Sequence, residues 1–324
     1  MTPVSYAVLS CDLDTVDCHL QGYGFDGLPP CDLIYRTAVP RVLELLAELG
    51  VPGVLFTIAR DAHDQRHLLR AAATAGHEVA SHSLTHPQPF RTLTDPVLHD
   101  EIVTSRARLA EAVGTDVVGF RAPAWDVDAR VLRAVRDAGY RYDASIFPTP
   151  ALLASRWAAY RRSTGKRSIF SMDVLGHAFA PIRPHTLAEG VMEFPIAVTP
   201  WLRLPVYHTL TYLMPNKLFD RALGALLRSS MPVCYEFHAA DLLDLDGDGV
   251  DRRLARHPGM QVPVSTKRLR LRSILQRIAA QRSVLTYRGA LERLPVVSRI
   301  SGGCALPATT ASGVVSHTVS SVGT

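Results

Sequence analysis

VPRVLELLAELGVPGVLFTIARDAHDQRHLLRAAATAGHEVASHSLTH, residues 39–86, runs twice through one pattern. Val39 to Leu49 carries apolar side chains at helical spacing and stops at Gly50. Val54 to Ile58 is an apolar run too short for a stable helix, which predicts a strand. Arg66 to Ala75 is helical again and stops at Gly76, and Glu78 to Ser81 is a second short strand. Helices and short apolar strands that alternate, with glycine at each helix end, predict parallel strands with helices outside them.

The alternation extends in both directions. Upstream, Val4 to Leu9 predicts a first strand. Downstream come a long helix over Asp95 to Val113, with Thr94 or Asp95 as cap and Gly114 as stop, then a strand at Val117 to Phe120. A helix over Val127 to Ala138, ended by Gly139, and a strand at Tyr140 to Tyr142 follow. Residues 150–230 hold many prolines and read as an irregular elaboration inserted in the same domain, with a helix at Lys217 to Arg228. Pro232 to His238 and Val284 to Tyr287 read as late strands around a basic helix, Thr266 to Ala280. From Ser298 the chain turns to Ser, Thr, Gly and Val, which predicts a disordered tail over 298–324 after one domain over 1–297. The fold class is α/β, a parallel sheet or barrel.

Bulk properties narrow the function. The 324 residues are 47% hydrophobic and 20% charged, an ordinary globular balance. Five cysteines, Cys11, Cys18, Cys31, Cys234 and Cys304, form no CxxC pair, and their odd number argues for reduced thiols. Met1 to Ser10 lacks a basic leader, and no apolar run reaches the roughly 20 residues of a membrane span, so the expected location is cytoplasmic. A net charge of +5 is modest. Its excess in Arg252 to Arg282 reads as a solvated face, with phosphate or peripheral membrane contact as the minority reading. Nucleic acid is not expected as a partner, because no aromatic residues interleave with the basic ones. Asp244-Leu245-Asp246-Gly247-Asp248-Gly249 begins like a calcium loop, but its twelfth position is Ala255 where a glutamate is required.

Residues that could do chemistry follow the predicted strands. His82 and His86 stand four apart after the third strand, a spacing that places two rings on one face of a helical turn. Asp12 and Asp14 stand two apart after the first strand and project the same way, which is costly without a cation or base between them. Two histidines and one carboxylate, Asp14, form a catalytic zinc set, though the same ligands suit Fe(II). Asp12 is then left as general base. Arg121, in Gly119-Phe120-Arg121-Ala122-Pro123-Ala124-Trp125, can pair with Asp12, and Trp125 can wall a sugar groove. His238 ends a late strand, where it can protonate a leaving amine.

This ordered set resembles the NodB-type polysaccharide deacetylases, carbohydrate esterase family 4. The resemblance covers about residues 4–145 and 230–295. It implies a distorted (β/α) barrel in which Asp12 is the base, Asp14, His82 and His86 bind a divalent metal, Arg121 holds the base and His238 is the acid. Zinc is the first expectation, with Fe, Co, Ni or Mn as alternatives. Pro123 and Trp125 match the RxPxW motif and are expected on the substrate side. Asp143 falls in the fourth motif, where it is expected to orient His238. The chain departs from the pattern at Leu13, which separates the two aspartates, and at Glu236, where the family has a leucine lining the acyl pocket. Asp-Leu-Asp-Thr at 12–15 is also similar to lipid-linked aminoarabinose deformylases. The expected activity is hydrolysis of an N-acyl group, N-acetyl first, from an amino sugar, an oligosaccharide or a glycolipid. Three rivals are a deformylase or amidase on a lipid-linked sugar or non-sugar amide, a non-catalytic carbohydrate- or metal-binding protein, and an Fe(II) oxygenase.

Overall fold

Each short apolar run became a strand that pairs with its neighbours in parallel. The computed structural model describes residues 5–151 and 176–294. The strands are β1 (Tyr6–Asp12), β2 (Val54–Thr57), β3 (Glu78–Ser81), β4 (Gly119–Phe120), β5 (Tyr142–Asp143), β6 (His185–Thr186), β7 (Met192–Glu193), β8 (Val233–His238) and β9 (Ser283–Leu285). They line up as β6-β7-β5-β4-β3-β2-β1-β8. Among the strands of the described residues, only β6 runs antiparallel. β9 pairs with the first half of β1 (Tyr6 opposite Ser283), and β2 pairs with its second half (Ser10 opposite Val54). The distorted barrel is therefore a curled α/β sheet whose end strands, β6 and β8, do not pair with each other among the described residues.

Helices α1 (Val16–Gly22), α2 (Val39–Glu48), α3 (Arg66–Thr74), α4 (Asp95–Val113) and α5 (Ala129–Asp137) connect the first five strands. Their ends follow local chemistry. Gly114 closes α4 in the left-handed conformation (φ 81°), which costs glycine little. Asp128 opens α5 by accepting the Val131 N–H at 2.8 Å. Later helices span Asn216–Arg228, Val264–Ala279 and Tyr287–Arg293.

All seven residues of β1 are buried, as expected for a parallel strand covered on both faces. Alternation sorts them. Ala7, Leu9 and Cys11 join Val233, Tyr235 and Phe237 of β8 in a core shared with α2 and the helices at 216–228 and 264–279. A second core packs α3, α4 and α5 against Val79 and Phe120. Ser10 and Asp12 lie in register with Glu236 and His238, so all four side chains share the opposite, inner face.

Several expectations change. The predicted strand at Val284 to Tyr287 ends at Leu285, and Tyr287 begins a helix. The elaboration at 150–230 is not wholly irregular: Met192–Glu193 pairs in parallel with β5 and adds an edge to the sheet. Residues 152–175 of it lie outside the described residues, as does the predicted tail at 298–324. The basic run keeps Arg252, Arg253, Arg256 and Arg272 exposed, as a solvated face does, but is tied down elsewhere. Lys267 is buried, while Arg268 pairs with Glu48 and Arg277 with Asp220. In the acidic loop, Asp244 caps its own turn through Gly247 N–H at 2.9 Å, and Asp248 takes both guanidinium nitrogens of Arg41. No helix among the described residues is long and apolar enough to cross a membrane.

Candidate metal centre and reaction cleft

Parallel strands end at the same edge, so the residues that close them converge. Asp12 lies opposite His238 and Phe56, Thr57 opposite Ser81, and Ser81 opposite Phe120. Asp14, His82 and Arg121 each sit within two residues of those ends.

His82 and His86 meet without a helix, which corrects the expected helical turn. Ser83 and His86 adopt left-handed backbone (φ 66° and 63°), folding 82–86 into a tight irregular loop. A carboxylate from another element holds that loop. Glu101 of α4 accepts the N–H groups of Leu84 and Thr85, each at 2.9 Å, and the Thr85 hydroxyl. The Ser83 hydroxyl accepts the His86 N–H at 3.0 Å.

The loop aims both imidazoles at Asp14. Its Oδ1 lies 3.1 Å from His82 Nε2 and 3.5 Å from His86 Nε2. His82 Nδ1 donates to the Arg121 carbonyl at 2.7 Å, which leaves Nε2 as a lone-pair donor. Burial pushes the Asp14 carboxyl up, but His86 and His82 outweigh it and hold it well below the usual carboxylate range. Burial likewise pushes the His86 imidazole down, to about 3. Asp14 Oδ1 and both His86 ring nitrogens are buried without a hydrogen-bond partner among the described residues. Unpaired polar atoms that converge in this way are expensive without a ligand, so these residues fit a divalent cation.

Beside them stands Asp12, gripped by a fully buried arginine. Arg121 donates to Asp12 through Nη1, to Ser10 Oγ through Nη2 at 3.1 Å, and to the Ala144 carbonyl through Nε at 2.9 Å. Its guanidinium lies 4.0 Å from the centre of the Phe56 ring. A buried guanidinium so well paired fixes the carboxylate it holds.

His238 faces the centre from β8, with Nε2 3.7 Å from Asp14 Oδ2. Its backbone N–H donates to Asp241 at 2.9 Å. Its other face meets Glu236, not the expected Asp143. Glu236 is fully buried, and its Oε1 lies 3.0 Å from His238 Nδ1, yet neither carboxylate oxygen is aligned in a hydrogen bond. Burial pushes the Glu236 carboxyl up. Burial alone would lower the His238 imidazole, but Glu236, Asp14 and Asp12 raise it.

Asp143 is the residue the structure turns away. Its carboxylate accepts from Ser145 N–H at 2.9 Å and Ser145 Oγ at 2.8 Å. Glu193 of β7, equally buried, lies opposite it in register. Pro123 is buried at the start of a single 3-10 turn, Pro123–Trp125. Trp125 is half-buried and meets Phe147 and Tyr207 edge-on at 5.1 and 5.6 Å, forming an aromatic wall.

Sequence reasoning missed five members of this constellation. Ser10 and Tyr287 contact Arg121, Glu101 holds the histidine loop, and Asp241 anchors His238. His19 places its ring 5.6 Å from that of His238. Only Ser10 carried a signal, since it stands two residues before Asp12 on a strand.

The geometry can now be set beside known proteins. The family described as polysaccharide deacetylase matches residues 23–142, a span that includes His82, His86 and Arg121. A chitooligosaccharide deacetylase from Sinorhizobium fredii (strain NBRC 101917 / NGR234) is 29% identical over 150 residues, 46% of this chain and 62% of that protein. The chain thus spans less than two thirds of that relative's length. Among solved structures, a Mycobacterium smegmatis protein classed with the polysaccharide deacetylases is 17% identical, with a TM-score of 0.55 over 97% of this chain and 96% of that one. An allantoinase is 13% identical, with a TM-score of 0.52 over 89% of each chain. Likeness at that level establishes the fold alone. Through residues 23–142 this chain is similar to the polysaccharide deacetylase family.

Proposed function

We propose that this protein is a metal-dependent hydrolase that removes an N-acyl group, N-acetyl first, from an amino-sugar oligosaccharide. One observation carries the reading: a candidate cation triad, an arginine-held carboxylate and a histidine converge at a single strand edge. The chitooligosaccharide deacetylase relative supports the substrate class.

Asp14, His82 and His86 would hold a divalent cation, zinc first. When bound, it supplies Lewis-acid polarisation and lowers the pKa of water. Arg121 orients Asp12, so that Asp12 accepts a proton from the attacking water. His238 presents Nε2 to the same space and gives its proton to the departing amine nitrogen. Glu236 faces Nδ1, where Asp143 was expected to orient the ring, and favours the imidazolium by charge. Trp125, with Phe147 and Tyr207, offers an apolar face to a pyranose ring.

A second reading is a deformylase or amidase on another polar substrate. The buried carboxylate of Glu236, in place of a pocket-lining leucine, favours it. One experiment separates them. The zinc- or cobalt-loaded protein is incubated with N-acetylated and N-formylated amino sugars, free and lipid-linked, and new primary amine is measured. Amine released from N-acetylglucosamine oligomers is the expected outcome. Release from formylated substrates alone would select the second reading, and no release from any would refute deacylation of amino sugars.

A further inference from the structure

Two elements extend the strands that supply the chemistry and meet outside the cleft. α1 begins just after Asp14 and carries His19, with Tyr23 as its last-turn cap. A 3-10 turn, Arg252–Arg256, follows the β8 end and is capped by His257. Tyr23 Oη and His257 Nδ1 share a hydrogen bond of 3.1 Å. The His19 ring lies 4.7 Å from His257 and 5.6 Å from His238. A row of rings, His238, His19, His257 and Tyr23, thus leads away from the reacting centre. Arg256 stacks over Phe25 at 5.1 Å and closes the outer end.

Packing alone does not explain this row. His19 Nε2 is buried with no hydrogen-bond partner among the described residues. An orphaned polar atom of this kind is costly to bury, and phenylalanine would fill the same place without that cost. Burial pushes the His19 imidazole down to about 4 and the His257 imidazole well below its ordinary value, so both rings are neutral. A neutral imidazole offers one donor and one acceptor, the same complement as a sugar hydroxyl.

We propose that His19, Tyr23 and His257 form a subsite that binds, through its hydroxyl groups, a sugar unit beyond the one carrying the reacting amide. The proposal rests on the deacylase reading and names where that substrate continues. It makes the enzyme one that prefers oligomers to single sugars.

The test compares N-acetylglucosamine with its tetramer on the zinc-loaded protein and its His257→Ala and Tyr23→Phe variants. Tyr23→Phe removes a single oxygen, so it reports even if the larger change perturbs folding. Losing one hydrogen bond should raise KM for the tetramer roughly threefold to tenfold while kcat changes little. The loss on the monomer should be smaller. An equal loss on both lengths, or none on the tetramer, overturns the subsite. Calorimetric titration of Asp12→Asn with the tetramer, with and without His257→Ala, needs no turnover. If no amino sugar is hydrolysed, the activity reading fails, and the calorimetry still decides the subsite. Binding weakened by His257→Ala supports it, whereas binding that is absent or unchanged overturns it.

Discussion

At the scale of single residues, the site divides into groups that hold a cation and groups that move protons. Asp14→Ala, His82→Ala and His86→Ala should each lose metal and turnover together, read as metal content by mass spectrometry beside rate. Full occupancy in any variant would remove that residue from the ligand set. Asp12→Asn keeps the shape and loses the base. It should retain metal while the rate falls by roughly 10²- to 10⁴-fold, and a near wild-type rate would show that another group accepts the proton. Glu236 makes a sharper prediction, because its carboxylate is buried without an aligned hydrogen bond. Glu236→Leu removes an anion that favours the charged imidazole. The His238 pKa should therefore fall, and the basic limb of the pH–rate profile should move to lower pH. Removing a buried carboxylate also relieves a desolvation cost, so the melting temperature should stay level or rise. A basic limb that does not move would free His238 from Glu236.

At the scale of elements, the question is what makes five residues after β3 adopt a loop of the right shape. The answer lies in α4, not in the loop. Glu101 satisfies two loop N–H groups at once, so Glu101→Ala would strand both and cost about 1–3 kcal/mol. With the loop loosened, metal affinity should fall roughly 10- to 100-fold, the usual worth of a residue that orients ligands. Titration with zinc in the presence of a competing chelator reads this directly, and unchanged affinity would show that the loop holds its shape unaided. β4 is two residues long and has its own constraint. A Cβ on Gly119 would lie 1.9 Å from Cζ of Tyr142, whose hydroxyl donates to Glu78 at 2.9 Å. Gly119→Ala must displace that ring. It should destabilise the protein by about 1–3 kcal/mol in chemical denaturation, whereas a neutral change would mean the ring has room to move.

At the scale of the whole molecule, the cation site joins distant parts of the chain. Asp14 leaves β1, and His82 and His86 leave β3, so a bound cation ties β1 to a strand two places away in the sheet. Binding to the folded state alone stabilises it by about 2.7 kcal/mol at a hundredfold excess over Kd. Chelation should therefore lower the melting temperature by several degrees, and zinc should restore it. The chelated protein should still melt cooperatively, because both cores are built without the metal. A melting temperature indifferent to chelator and to added zinc would mean that these three residues hold no cation.

The sequence by itself determined the features that arise within one element. Helix lengths followed from apolar spacing and from end signals such as Thr94, Gly114 and Gly139. The shared face of Ser10 and Asp12, like that of Glu236 and His238, followed from strand alternation. Placement of Asp12, Asp14, His82, Arg121 and His238 after strands was legible for the same reason. Tertiary structure decided everything that depends on which element lies next to which. The 82–86 segment reads as a helical turn because local spacing cannot register a carboxylate on α4. Asp143 was expected beside His238, but β7, hidden in a proline-rich stretch, brings Glu193 opposite it, and Ser145 takes its carboxylate. Glu236 meets His238 because both project from β8 onto the inner face, where Glu236 is fully buried. Residue spacing encodes direction along an element, while partnership between distant carboxylates, rings and loops is set by strand order and register, which no local pattern contains.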